Sequence, residues 1–408
     1  MGLYYVGEQC RSYGPYTIRP FTGTNWGSAV LDHASYLQRK YFGELDGVRA
    51  VSVLLVFTVH LSYPFWHSLH GGAGVTIFFV LSGYLITTLA LREEAKNGRL
   101  NLKSFYVRRL FRIYPIYFAV LAAYVVLILG LGMQSNRKSA FLETLPFYVL
   151  FFPERPMLMR GDAVSVPFAG AWSLGIEEKF YLVWPLLGFV ILAWKFRARL
   201  VALSIMVAGF AATGILGSTG AILQPYALIA LGCISAVMLN NKVWYDRIKF
   251  LGKGWVLAIT GGILLVMQFG TREILPERSL YVAYGLVATL VLTGIVITTT
   301  KGIRWLAAKP MVFLGKISYV FYLTHNFGIN GAEMVVPKGG PFWAVVTAIV
   351  GLVASIAIAW ALHIAIEKPM IKVGHRVAHR YKPLKGVPSV VEAEAPRIGT
   401  PRHLAVRD

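Results

Sequence analysis

Glu44–His60 reads ELDGVRAVSVLLVFTVH: an acidic start, an arginine, an apolar run and a terminal histidine. Arg49 and His60 stand 11 positions apart. At ~100° per helical residue, that spacing returns to within about 20° of one face. At ~1.5 Å per residue it covers about 16 Å along the axis, roughly half of a ~30 Å hydrocarbon core. Ionisable groups at membrane depth are costly and mark functional sites by default. The bland alternative is anchoring, with Arg49 snorkelling to headgroups and His60 capping the helix at the opposite interface.

Composition extends this reading to the whole chain. Its 408 residues are 56% hydrophobic and 14% charged, and mean hydropathy is +0.59. Such values describe a membrane protein rather than two or three soluble domains. The net charge of +21 is placed in short loops between apolar runs, the pattern of the positive-inside rule. It therefore points to membrane lipids and an anionic cofactor rather than to nucleic acid. Cys10 and Cys233 have no metal or redox spacing. His67 and His70 follow His60 in a Gly-rich turn without a metal-ligand motif, so no metal is expected.

The expected fold is all-α, a polytopic bundle of about ten transmembrane helices, N-in and C-in. The first span is expected from about Val48 to Trp66, and the tenth from about Pro341 to Ile366. Residues 135–171 form an extramembrane segment whose short apolar piece, near 147–152, reads as re-entrant or interfacial. The division expected is a flexible cytoplasmic tail (1–43), a transmembrane domain (44–370) and a basic cytoplasmic tail (371–408). Arg108, Arg109 and Arg112 share one face of a helical turn through i, i+3 and i, i+4 spacing. Glu177 and Glu178 are adjacent acids within an apolar span, about 100° apart, so one is expected to face the core. His60 and His325 come to similar depth on two separate helices.

Five stretches carry a family resemblance. They are LDGVRA with the histidine eleven residues after its arginine, FFVLSGYLIT, RRLFRIYP, WSLGIEEKFYLVWP and LGKISYVFYLTH. In this order, over most of 44–369, they resemble acyltransferase family 3, integral membrane O-acyltransferases of glycans and other hydroxyl compounds. The resemblance implies a multi-pass protein of the bacterial inner membrane. It implies an acyl-CoA donor, most simply acetyl-CoA, on the cytoplasmic side and a carbohydrate hydroxyl acceptor on the other. Arg49 and His60 match the family's arginine–histidine pair.

Acyl transfer from a thioester to an alcohol needs a group that takes the hydroxyl proton, and an imidazole suits that task. His60 is assigned as this base; a covalent acyl-histidine route uses the same ring. Arg49 then binds donor phosphate or stabilises the oxyanion, and Asp46 either orients Arg49 or caps the helix. Arg108, Arg109 and Arg112 are the candidate phosphate site for the donor, against plain positive-inside anchoring. Glu177 is a candidate to orient an imidazolium or bond a sugar hydroxyl, and Lys179 could instead neutralise one of the two acids. Trp172, Ser173, Glu178, Tyr322 and His325 are candidates for the acceptor pocket, with an interfacial aromatic belt as the plainer reading of Trp172. The residues after Pro369 are not expected to hold the soluble hydrolase-like domain that some family members carry. The rival class is a transporter or flippase in which the same ionisable groups line a pathway.

Overall fold

The computed structural model describes residues 30–160, 166–215, 218–270 and 277–381. Those residues are built from helices, with one isolated antiparallel bridge between Val30 and Thr298. A short α1 (His33–Gln38) leads into α2 (Gly43–Val59), the turn α3 (Pro64–His67), α4 (Ala73–Asn97) and α5 (Leu102–Val125). The small helices α6 (Lys138–Val149) and α7 (Arg155–Arg160) precede α8 (Trp172–Leu186), α9 (Phe196–Ala212) and α10 (Ser218–Asn240). Then follow α11 (Lys242–Ile248), α12 (Gly254–Phe269), α13 (Glu277–Ile297), α14 (Lys309–Val335), α15 (Pro341–Leu362) and α16 (Lys368–Arg380).

Among the described residues, 5 helices are long and apolar enough to cross a membrane, or 7 if each of two bent helix pairs is one span. The segment expected as the first span is a helix of 17 residues. The first stops at His60 rather than near Trp66. Pro64 opens the next turn and Tyr63 before it is extended, because a residue preceding proline is driven out of the helical region. His60 therefore sits at a helix end. The last span also differs: a π-helical turn at His363–Glu367 joins α15 to α16, and helix continues to Arg380.

Ordered structure begins before the expected boundary at residue 44. Tyr36 is buried and its hydroxyl lies 3.1 Å from that of Tyr84, and Phe42 is buried as well. The expected tails over 1–29 and 382–408 lie outside the described residues. In the segment after α5, Phe151 stacks on Tyr114 with ring centroids 4.5 Å apart, and Tyr148 is buried against Phe168. The apolar piece near residues 147–152 thus packs on α5.

Motif glycines set the helix crossings. A Cβ on Gly83, in FFVLSGYLIT, would collide with the Ile229 carbonyl, and one on Gly232 would collide with the Val80 carbonyl. Helices α4 and α10 therefore meet backbone to backbone, as small residues allow in membranes. Gly315 does the same for the crossing of α2 and α14, where its Cβ would overlap the Asp46 carbonyl, and Gly47 lets α2 approach the Leu306 backbone in the 3-10 turn Lys301–Ala307 that precedes α14. That crossing brings the arginine–histidine helix against the helix of His325.

A buried ion pair ties α4 to α9. Arg199 Nη2 donates to Glu94 Oε1 at 2.6 Å, with both side chains almost wholly buried. Arg199 Nε also donates to the Gly188 carbonyl at 2.6 Å, in the π-helical turn Leu187–Ile191. Removing one partner strands the other charge. Arg199→Ala is expected to destabilise the fold by about 3–5 kcal/mol, read as a lower detergent-denaturation midpoint than that of wild type.

Candidate active site

The two histidines foreseen at similar depth touch. His325, buried in α14, has Nε2 3.1 Å from Nδ1 of His60, with ring centroids 4.6 Å apart and nearly perpendicular. The backbone assigns the tautomers. His325 Nδ1 lies 2.8 Å from the Tyr322 carbonyl and 3.2 Å from that of Phe321. A carbonyl only accepts, so that nitrogen carries the proton and Nε2 of the neutral ring is an acceptor. His60 Nδ1 faces this acceptor and, at 3.0 Å, the Val56 carbonyl. Its proton therefore sits on Nδ1, and Nε2 of His60 keeps its lone pair. Ser355 Oγ donates to the His325 carbonyl at 3.0 Å and fixes the helix behind the pair.

About 16 Å away along α2, Arg49 is buried beside a cavity of about 50 Å³. Ser82, Ser173, Glu177, Tyr319 and Tyr322 also line it, so α2, α4, α8 and α14 all contribute. The cavity lies where the two main hydrophobic clusters meet, one built mainly on α4, α8 and α10 and the other on α5, α14 and α15. Glu177 Oε2 accepts from Ser82 Oγ and from Tyr181 Oη, each at 2.8 Å, and Ser82 also bonds Tyr181. Ser173 and Tyr322 hydroxyls are 2.7 Å apart. Tyr322 joins the two regions, because it lines the cavity while its carbonyl accepts from His325.

Arg49 lies 4.0 Å from Asp46, a long contact for an ion pair. Asp46 accepts from Tyr41 Oη at 2.5 Å, and the N-cap position of α2 is Phe42, so Asp46 is not the cap. The arginine triplet divides. Arg108 is committed to Glu93 at 2.8 Å and to Ser104. Arg109 lies over the Tyr181 ring, 4.1 Å from its centroid. Buried Arg109 Nη1 and Arg112 Nε lack a hydrogen-bond partner among the described residues. Each such orphaned donor is costly.

Of the remaining candidates, Trp172 packs edge-on against Phe79, outside the cavity lining. Glu178 is half-buried with Oε1 unpaired, whereas Glu177 is buried, in keeping with the expected 100° offset. Lys179 pairs with Glu154 at 2.8 Å rather than with either neighbouring acid. Two participants were not anticipated. Buried Glu367 accepts from His363 Nδ1 at 2.6 Å where α15 passes into α16. Ser82 lies in FFVLSGYLIT and holds Glu177. Glu367 had one readable signal, an acid four residues after a histidine at the end of an apolar run. Among the described residues, no group of three or more His, Cys, Asp or Glu is placed to hold a metal ion.

The model of the acyltransferase 3 family, described as an acyltransferase domain, matches residues 42–364, and the chain belongs to that family. It is 29% identical over 385 residues to the putative peptidoglycan O-acetyltransferase YrhL of Bacillus subtilis, covering 83% of this chain and 56% of that protein. To the O-acetyltransferase OatA of Staphylococcus aureus it is 28% identical over 331 residues, 70% of this chain and 50% of that one. To the peptidoglycan O-acetyltransferase OatA of Listeria monocytogenes it is 33% identical over 186 residues, 40% of this chain and 26% of that one. The chain thus spans between about a quarter and just over half of the length of these relatives. No solved structure matches it.

Proposed function

We propose that the chain is a membrane-bound O-acyltransferase that moves an acyl group, most simply acetyl, from acyl-CoA to a hydroxyl of a cell-envelope carbohydrate. The observation that carries this reading is the His60–His325 pair, whose hydrogen bonds leave His60 Nε2 as a free base. The names of the relatives support an acetyl group and a peptidoglycan-type acceptor. In the direct route, His60 Nε2 takes the proton of the acceptor hydroxyl. The hydroxyl oxygen attacks the thioester carbonyl carbon, the carbon–sulfur bond breaks, and the CoA thiolate leaves with the proton from His60. His325 is a positioning residue in this scheme. Its Nε2 and the Val56 carbonyl accept from the Nδ1–H of the imidazolium, a bond that strengthens as charge develops.

Arg109 and Arg112, rather than the whole triplet, are assigned to the donor's phosphates, with Arg49 at the cavity. Coenzyme A carries its thioester at the end of a long pantetheine arm, so phosphates held at the arginines are compatible with a thioester near His60. Basic clusters alternate with apolar runs, which favours a bacterial inner-membrane protein of about ten spans, N-in and C-in. That places the arginine side in the cytoplasm.

Membranes containing the chain, given acetyl-CoA labelled in the acetyl group and the host's extracted glycans, are expected to place alkali-labile label on glycan. Movement of glycan or lipid across the bilayer with acetyl-CoA left intact would instead support a transporter.

A further inference from the structure

Beyond His60 the chain turns, and a groove of about 310 Å³ opens between that turn and the junction of α14 with α15. Its volume falls in the range of small-ligand pockets, about 300–1,000 Å³. Leu61 and Ser62, the residues directly after His60, form one wall. Glu333 stands on α14 eight positions past His325, about 12 Å further along the axis in the same direction. The groove therefore lies at the histidine end of the helices, away from Arg49 and the other arginines.

The lining has the chemistry of a sugar site. Tyr63, Trp66 and Trp343 supply aromatic faces, and Glu333, Lys338 and Thr347 supply polar groups. A pyranose presents a C–H face that packs on an indole and a rim of hydroxyls that bond carboxylates. Glu333 Oε1 is positioned by Ser62 Oγ at 2.5 Å, which leaves the second oxygen for a ligand hydroxyl. An interfacial aromatic belt would explain exposed aromatics alone. Here, however, each tryptophan is preceded by an exposed phenylalanine that lies outside the groove. Phe65 and Phe342 are 59% and 70% exposed and do not line the groove, whereas Trp66 and Trp343 do. Gly339 permits this placement, because a Cβ there would stand 2.8 Å from Trp343 Cδ1.

Resting on the acyltransferase reading, we propose that this groove binds the saccharide acceptor, with Trp66 and Trp343 as stacking faces and Glu333 as the hydroxyl acceptor. It presents the sugar to His60 from the side opposite the arginines.

The test is calorimetric titration of the full chain in detergent micelles with a β-1,4-linked N-acetylglucosamine tetramer, which needs no acyl chemistry. Trp343→Ala and Glu333→Gln are each expected to raise Kd at least tenfold. Trp343→Phe should recover most of the affinity, and Phe342→Ala should bind as wild type. Unchanged affinity in both groove variants, or no binding by wild type, would overturn the assignment. Failure of the acyltransferase reading looks different: no acetyl ester forms on any acceptor, while the groove variants still lose affinity.

Discussion

His60→Ala is expected to reduce acyl transfer by about 10²–10⁴-fold, the usual contribution of a positioned general base, or roughly 3–5 kcal/mol of barrier. The side chain is half-buried at the end of α2, and its hydrogen bonds go to the Val56 carbonyl and His325. Its removal frees no buried charge, so the variant should fold and insert. His325→Ala removes only the acceptor that faces His60 Nδ1. Because the Val56 carbonyl still accepts that proton, the expected loss is smaller, and it should fall on kcat more than on the donor KM. His325→Gln offers an amide oxygen to His60 and should recover part of the rate, a rescue that a purely structural role would not show. The check is steady-state transfer in matched membrane preparations, with protein level and denaturation midpoint measured alongside.

The second large effect is at Arg49. It is buried at the cavity, 4.0 Å from Asp46, and the nearby Glu177 is already bonded by Ser82 and Tyr181. Arg49→Ala is expected to lower kcat/KM about 10²–10³-fold, the size of effect seen when a charge-stabilising donor is lost. Arg49→Lys keeps the charge but loses the planar fork. It should remain folded and still lose at least tenfold. The split between constants assigns the role: a fall in kcat marks oxyanion stabilisation, and a rise in donor KM marks phosphate binding. Wild-type kinetics in Arg49→Lys would reduce Arg49 to an anchoring charge.

The family and the helical class were legible because apolar runs, basic loops and five motifs agree along the chain. The depth match of His60 and His325 was readable from spacing, but their contact was not. It depends on Gly315 letting α2 and α14 cross closely, and the loss of a Cβ is invisible to hydropathy. The arginine triplet looked uniform because i, i+3 and i, i+4 geometry knows nothing of Glu93, which claims Arg108 from another helix. Glu367 lies just past the expected end of the last span, and a π-turn that carries an acid inward leaves no trace in apolar periodicity. Helix α16 was missed for a related reason: its buried contacts are Gly374 and Ala378, small residues one turn apart in a basic segment.

The most direct test of the central claim is a count of products from the purified full chain in lipid bilayers, given acetyl-CoA and an N-acetylglucosamine oligosaccharide. Wild type is expected to form one saccharide acetyl ester for each CoA thiol released, and His60→Ala to form neither above background. Ester formation by His60→Ala at the wild-type rate would contradict the account.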